Sequence, residues 1–146
     1  MSSVRSAYRL LSVLTALCLL LVSLTACSGG IPRVDAKTAM DSRLSALDNE
    51  NYAEAAALYH PDAAMTEELL AAFAEQVKTK VGIDLTEGAV VEKITGMSAS
   101  YYDSTVDGSR YALTAKIKAG DKTADLTVEV IRNDRGYGIF RVECNP

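Results

Sequence analysis

Few side chains in this sequence are equipped for chemistry. The thiols are Cys18, Cys27 and Cys144, and the one imidazole is His60. A thiolate is a strong nucleophile, and Cys27 closes the tetrapeptide Leu24-Thr25-Ala26-Cys27 at the end of an apolar run. Cys18 lies inside that run, so Cys144 is the thiol left to the rest of the chain. With no intramolecular disulfide open to it, Cys144 reads as a buried or unpaired thiol ahead of a bridge between chains. His60 precedes Pro61 at the end of a helical stretch and reads as a surface-loop histidine ahead of a general base. An isomerase-type site needs a carboxylate base facing a tyrosine and a protonated acid in an apolar pocket. Tyr102 offers the hydroxyl, but Asp103 alternates to the opposite face, and no Asp or Glu falls on the apolar register of the strands. The sequence has no Cys/His metal spacing, Gly-rich phosphate loop or Gly-x-Ser-x-Gly elbow. No catalytic residue, metal or cofactor is assigned.

Around Cys27 the order of residues is more specific. Arg5 and Arg9 precede an apolar segment from Leu10 to about Leu24, interrupted by Ser12, Thr15 and Ser23. At about 15 residues it is short of the roughly 20 that a membrane-spanning helix needs. A basic start, a short apolar segment and a closing Leu-small-Ala-Cys resemble the precursors of bacterial lipoproteins. The resemblance implies a signal peptide over 1–26, with Leu24, Thr25 and Ala26 recognised by the signal peptidase. It also implies cleavage before Cys27 and a diacylglyceryl thioether on its sulfur. The mature chain would then be held by a membrane lipid on the extracytoplasmic side of the cell membrane. Residues 27–34 read as a short lipidated tether, loosened by Gly29-Gly30, with Pro32 turning Ile31 away from helix.

Removing the leader leaves about 120 of 146 residues, room for one domain over 35–146. Without Arg5 and Arg9, 13 basic residues face 19 acidic ones, a net charge of −6. With no Lys/Arg cluster to offset it, that charge repels phosphate backbones and argues against nucleic acid as a partner. The absence of Trp removes the commonest sugar-stacking platform, although the full sequence has seven Tyr.

Two textures divide the domain. In the first half, Asp35 or Thr38 caps a helix to about Asp48, with Met40, Leu44 and Leu47 as its apolar stripe and Asp41, Arg43 and Ser45 pointing elsewhere. Asn51 caps a second, short helix on which Tyr52, Ala55, Ala56 and Tyr59 share a face, ended by His60-Pro61. A third helix starts after Thr66 with stripe Leu69, Phe73 and Val77, and stops at Val81-Gly82.

From Ala89 the pattern alternates, and the turns Asp107-Gly108, Gly120-Asp121 and Asn133–Gly136 cut it into strands at about 90–106, 109–119, 122–132 and 136–143. A two-residue Gly120-Asp121 loop pairs Ile117 with Ala124, Ala115 with Leu126, Leu113 with Val128 and Tyr111 with Val130, all on one face. Lys116 then meets Asp125 and Thr114 meets Thr127 on the other, a match that a one-residue slip destroys. Pairing Arg132 with Tyr137 sets Ile139 opposite Val130 and sends Ile131, Phe140 and Val142 to the far face, a candidate dimer surface. A strict Asp107-Gly108 loop would turn Ser98, Ser100, Tyr102 and Ser104 to the core, so a bulge near Gly96 or a longer turn is expected instead, the alternative being a partly polar cavity.

Three helices on a four-stranded antiparallel meander make an α+β fold. The stretch Leu47–Ala56 resembles the helix, polar turn and Ala-rich helix that open nuclear transport factor 2-like domains. Val128–Ile131 with Gly136–Phe140 is similar to the closing hairpin of that superfamily's small bacterial lipoproteins, with Tyr137 where those usually carry Trp. The resemblance implies a curved, cone-shaped sheet wrapped on a helix, often dimeric, with Tyr102, Tyr111, Leu113, Val128, Val130 and Ile139 as candidate cavity lining. It implies no single function, because the fold hosts enzymes and binders alike. The favoured expectation is a non-catalytic module that binds a small apolar ligand or another envelope protein. The competing one is an isomerase- or hydratase-type enzyme using the cone cavity.

Overall fold

The strands on either side of Gly120-Asp121 set the frame. In the computed structural model, which describes residues 31–103 and 106–146 but not the side chains of 101–106, Lys122–Asn133 pairs with Val106–Ala119 in the register expected from the sequence. Leu113, Ala115, Ile117, Ala124, Leu126, Val128 and Val130 are buried along one face. On the other face Lys116 Nζ lies 3.3 Å from Asp125 Oδ1, and the hydroxyls of Thr114 and Thr127 share a hydrogen bond of 2.9 Å.

The sheet is a four-stranded antiparallel meander: β1 (Val90–Asp103), β2 (Val106–Ala119), β3 (Lys122–Asn133) and β4 (Gly136–Asn145), paired in that order. Three helices precede it: α1 (Arg33–Asp48), α2 (Tyr52–Ala57) and α3 (Glu67–Lys80). Met40, Leu44 and Leu47 of α1 pack into one cluster with the apolar face of β2 and β3. The helix starts earlier than expected, after Pro32, where a proline's missing N–H costs nothing. Asn51 caps α2 by accepting from Glu54 N, and Thr66 caps α3 by accepting from Leu69 N. Gly82, at φ +80°, ends α3.

Two expectations, for α3 and for the first hairpin, are corrected. On α3 the buried residues are Leu70, Ala74 and Val77, while Leu69 is 53% exposed. Leu69 and Leu70 are adjacent, so the apolar pattern does not say which of them faces inward, and packing on α1 and α2 selects Leu70. In β1 the register shifts three times, around Glu92 and Thr95 and again between Tyr101 and Asp103, and the first two shifts set Val91, Ile94, Met97 and Ala99 opposite the core residues of β2. Ser98 and Ser100 therefore turn away, as the expected bulge requires. Asp103 pairs with Val106, so the strands meet ahead of Asp107-Gly108 and that dipeptide is not the hairpin turn. At φ +114°, Gly108 instead lets β2 press on β3, where a Cβ would lie 2.3 Å from Arg132 O.

In β4, Glu129 opposes Arg141 while Val130 opposes Ile139, which leaves Phe140 as a bulge. The extra residue sets Val142 opposite Val128 and Cys144 opposite Leu126, against the core, where an unbroken ladder would have put Arg141 and Glu143. Ile131 is only 1% exposed. Ile131, Phe140 and Val142 therefore do not form one exposed face.

Beyond β4 the chain adds a fragment of a fifth strand. Ile139 N donates to Leu58 O at 2.9 Å and His60 N donates to Ile139 O at 2.8 Å, a parallel bridge that covers this edge. Gly138 permits it, because a Cβ there would lie 2.4 Å from His60 N and 2.7 Å from Tyr59 C. Gly138→Ala is expected to cost about 1–3 kcal/mol in chemical denaturation, the range of an overpacked core. Gly96→Ala, whose methyl would meet Thr114 at 3.5 Å, should stay within about 1 kcal/mol of the parent.

The α3–β1 connection buries Ile83 and Leu85 and is pinned by Asp84 between them. Its carboxylate accepts from Thr86 N at 3.0 Å and Thr86 Oγ1 at 2.7 Å, and Lys78 Nζ lies 2.6 Å away. The Lys78 hydrogen bond first, then those of Thr86, hold the Asp84 carboxyl down to about 2, against an ordinary 3.8. Because the folded value is the lower one, the stabilisation is present above about pH 4 and is lost as pH falls towards about 2. Asp84→Asn should therefore lose less stability than the parent between those two pH values, measured as urea midpoints.

Candidate functional site

Arg43 is the charged residue that the helix puts in the wrong place for a charge. In α1 it stands at i+3 from Met40 and i−4 from Leu47, within the apolar stripe, and it is 0% exposed. The reading of Arg43 as outward-pointing is thus corrected by the helical period itself. The i, i+3, i+4, i+7 spacing of 40, 43, 44 and 47 is one face, and it was the signal that could have found this residue.

The guanidinium makes two contacts. Its Nε donates to Tyr59 Oη at 2.9 Å, and its Cζ lies 4.8 Å from the centroid of the Phe73 ring. Nη1 and Nη2 are buried with no hydrogen-bond partner, and no carboxylate pairs with Arg43 among the described residues. Removing an ion from water costs several kcal/mol even after relaxation. A hydrogen bond from a charged donor returns about 1.5–3 kcal/mol, and a desolvated cation–π contact about 2 kcal/mol.

Cys144 is also close enough to feel Arg43. Burial pushes its thiol up, against a smaller opposing pull from Arg43, with Asp125 adding to the rise. At neutral pH it is therefore a neutral thiol and supplies no counter-charge. Phe73 and Cys144 also form part of the wall of a cleft of about 220 Å³ between α3 and the end of β4, with Val77, Lys80 and Glu143 around it. A larger cleft of about 380 Å³ lies between α1 and the start of β1, but its polar groups are engaged: Lys37 pairs with Asp41, and Asp48 Oδ1 accepts from Gly88 N at 2.6 Å.

His60 is not on the surface, as the sequence suggested, but 1% exposed. The bridge to Ile139 draws residues 58–60 onto the sheet, a tertiary contact that Pro61 does not foretell. Its Nδ1 accepts from Asp62 N at 3.1 Å, so the ring proton is on Nε2, which donates to Asn133 Oδ1 at 2.9 Å. Asn133 Oδ1 also accepts from Arg135 N, and Asp62 pairs with Arg135 at 2.7 Å. Nε2 thus fastens the β3–β4 turn, while Nδ1 caps the short helical turn Pro61–Ala63. The buried acid of the sheet's far face, Glu129, is held by Arg110 at 2.7 Å.

The expected cavity residues Tyr111, Leu113, Val128, Val130 and Ile139 are brought together, but as packed core: all belong to the cluster that includes Met40, Leu44 and Leu47. Tyr111 Oη, at its edge, donates to Met97 Sδ at 3.5 Å. The side chain of Tyr102 and the residues Leu24, Thr25, Ala26 and Cys27 lie outside the described residues. Among the described residues there is no group of three His, Cys, Asp or Glu suited to a metal, and no helix long and apolar enough to cross a membrane.

Tyr59→Phe tests the Arg43 contact. Removing the acceptor from a buried charged donor should lower stability by about 1–3 kcal/mol in chemical denaturation. An unchanged midpoint would show that Nε is satisfied without it. Comparison with known proteins found no matching family model, no matching curated protein and no matching solved structure.

Proposed function

We propose that this is a lipid-anchored, extracytoplasmic protein whose domain is a non-catalytic binding module of the nuclear transport factor 2-like, cone-shaped kind, for a small ligand or an envelope protein. The anchoring half rests on Leu24-Thr25-Ala26-Cys27 at the end of a short apolar run behind Arg5 and Arg9. The order of three helices followed by a four-stranded meander supports the fold assignment.

The observation that carries the binding half is how the interior is filled. The side chains that would line a cone cavity pack against α1, and the charged group buried beside them is a cation, not the carboxylate base that an isomerase-type reaction needs. Glu129 is tied to Arg110 on the far face.

The tether also bears on where the domain works. Three residues separate Cys27 from Ile31, a reach of at most about 14 Å, and Ile31 is packed into the core. A lipid on Cys27 would hold the start of α1 against the bilayer, with Arg33 and Arg132 beside it to meet anionic headgroups. Arg132 lies 3.4 Å from Asp35 in the first turn of α1.

Mass spectrometry of the protein extracted from membranes tests the anchor. The expected N-terminal residue is Cys27 carrying the diacylglyceryl group, with Cys27→Ser left as an unacylated full-length precursor. An unmodified Cys27 within an uncleaved chain would overturn the reading.

A further inference from the structure

Arg43 has a full positive charge, no counter-charge among the described residues, and two buried nitrogens without partners. Arginine is almost never fully buried unless paired. The unmatched atoms are Nη1 and Nη2, the two ends of the fork that grips a carboxylate in parallel hydrogen bonds. Nε is already committed to Tyr59 and one face of the guanidinium to Phe73, so the group is held in place with its fork unused.

We infer that the cleft between α3 and the end of β4 takes a small organic carboxylate, whose oxygens accept from Arg43 Nη1 and Nη2 and whose apolar body lies against Phe73 and Val77. Arg43 does not itself line the cleft: it lies behind Phe73, whose ring its guanidinium faces, and near enough to Cys144 for its charge to be felt there, so the carboxylate reaches the fork by displacing the Phe73 ring. Lys80 at the mouth draws in an anion and balances Glu143 on the same rim. At about 220 Å³ the cleft is smaller than the roughly 300–1,000 Å³ of sites for drug-sized ligands, so the ligand is a compact acid. The inference rests on the binding role proposed above and names its ligand class. It does not depend on the lipid, so a failed acylation result and a failed binding result are read separately.

The experiment is a titration of the full chain, purified in detergent and labelled with ¹⁵N, following the Arg43 Nε–H resonance. Sodium benzoate is the probe, with benzyl alcohol as the uncharged analogue and sodium phosphate as the polar anion. Benzoate should move the resonance saturably and raise the melting temperature, with benzyl alcohol at least about tenfold weaker. Arg43→Met should keep the fold, since an apolar side chain of similar size replaces a buried charge without loss, and should weaken the binding of benzoate, followed by melting temperature, at least about tenfold. If Arg43→Met does not fold, Arg43→Lys keeps the charge without the fork and should show the same weakening. No saturable shift in the parent protein would overturn the inference. Equal benzoate affinity in the folded variant would do the same, as would tighter binding of phosphate than of benzoate.

Discussion

The pairing of β2 with β3 is the constraint on which the other elements depend. Once Ala119 meets Lys122 across Gly120-Asp121, every second residue back to Tyr111 and forward to Val130 is committed to one face. A slip of β3 by one place would bury Thr123, Asp125 and Thr127 instead. The two flanking strands have no such freedom of choice, and both adjust to this pair with bulges. β1 takes extra residues around Glu92 and Thr95 so that Ile94 and Met97 follow the face of Ala115 and Leu113. β4 takes one at Phe140 so that Val142 and Cys144 follow Val128 and Leu126. The central hairpin is regular because its own pattern is consistent, and the irregularity is placed at the edges, where a bulge also spoils the strand as a template for another chain.

What could be read in advance follows from this difference. The central hairpin was legible because a period of two and a turn dipeptide agree over ten residues. The cap at Asn51 and the helix start after Thr66 were legible because capping is a local hydrogen bond, whereas the first helix starts after Pro32 with no side-chain cap to announce it. The face of α3 was not, because Leu69 and Leu70 are alike as residues and only the neighbouring helices distinguish them. His60 was not, because its burial depends on a bridge between residues 58–60 and β4, nearly eighty positions away. The clue was Gly138, a glycine inside a strand, which marks a close approach of backbone.

The candidate site is a sharper case of the same point. Its residues come from α1, the segment after α2, α3 and β4, and none belongs to a motif. Arg43 alone could be suspected from sequence, as the charged member of an otherwise apolar helical face. Tyr59, Phe73 and Cys144 become its neighbours through packing. The Phe140 bulge matters here, because it turns Cys144 inward towards Arg43 and the rim of the cleft. A device that repairs the register of a strand thereby also builds one wall of the site.

The two structural roles open to Arg43 differ in their consequences. As a core filler, a guanidinium is a poor choice, because Met or Leu would occupy the same place on α1 without desolvating a charge. As the orienting group of a binding site, the same features are assets: Tyr59 and Phe73 fix the plane of the fork, and a dry surrounding strengthens any bond made to it. The neutral Cys144 fits the second role as well, since a thiolate there would neutralise the cation that an incoming anion needs. A buried cation held by contacts that spare its two best donors is arranged for an anion that arrives from outside the chain.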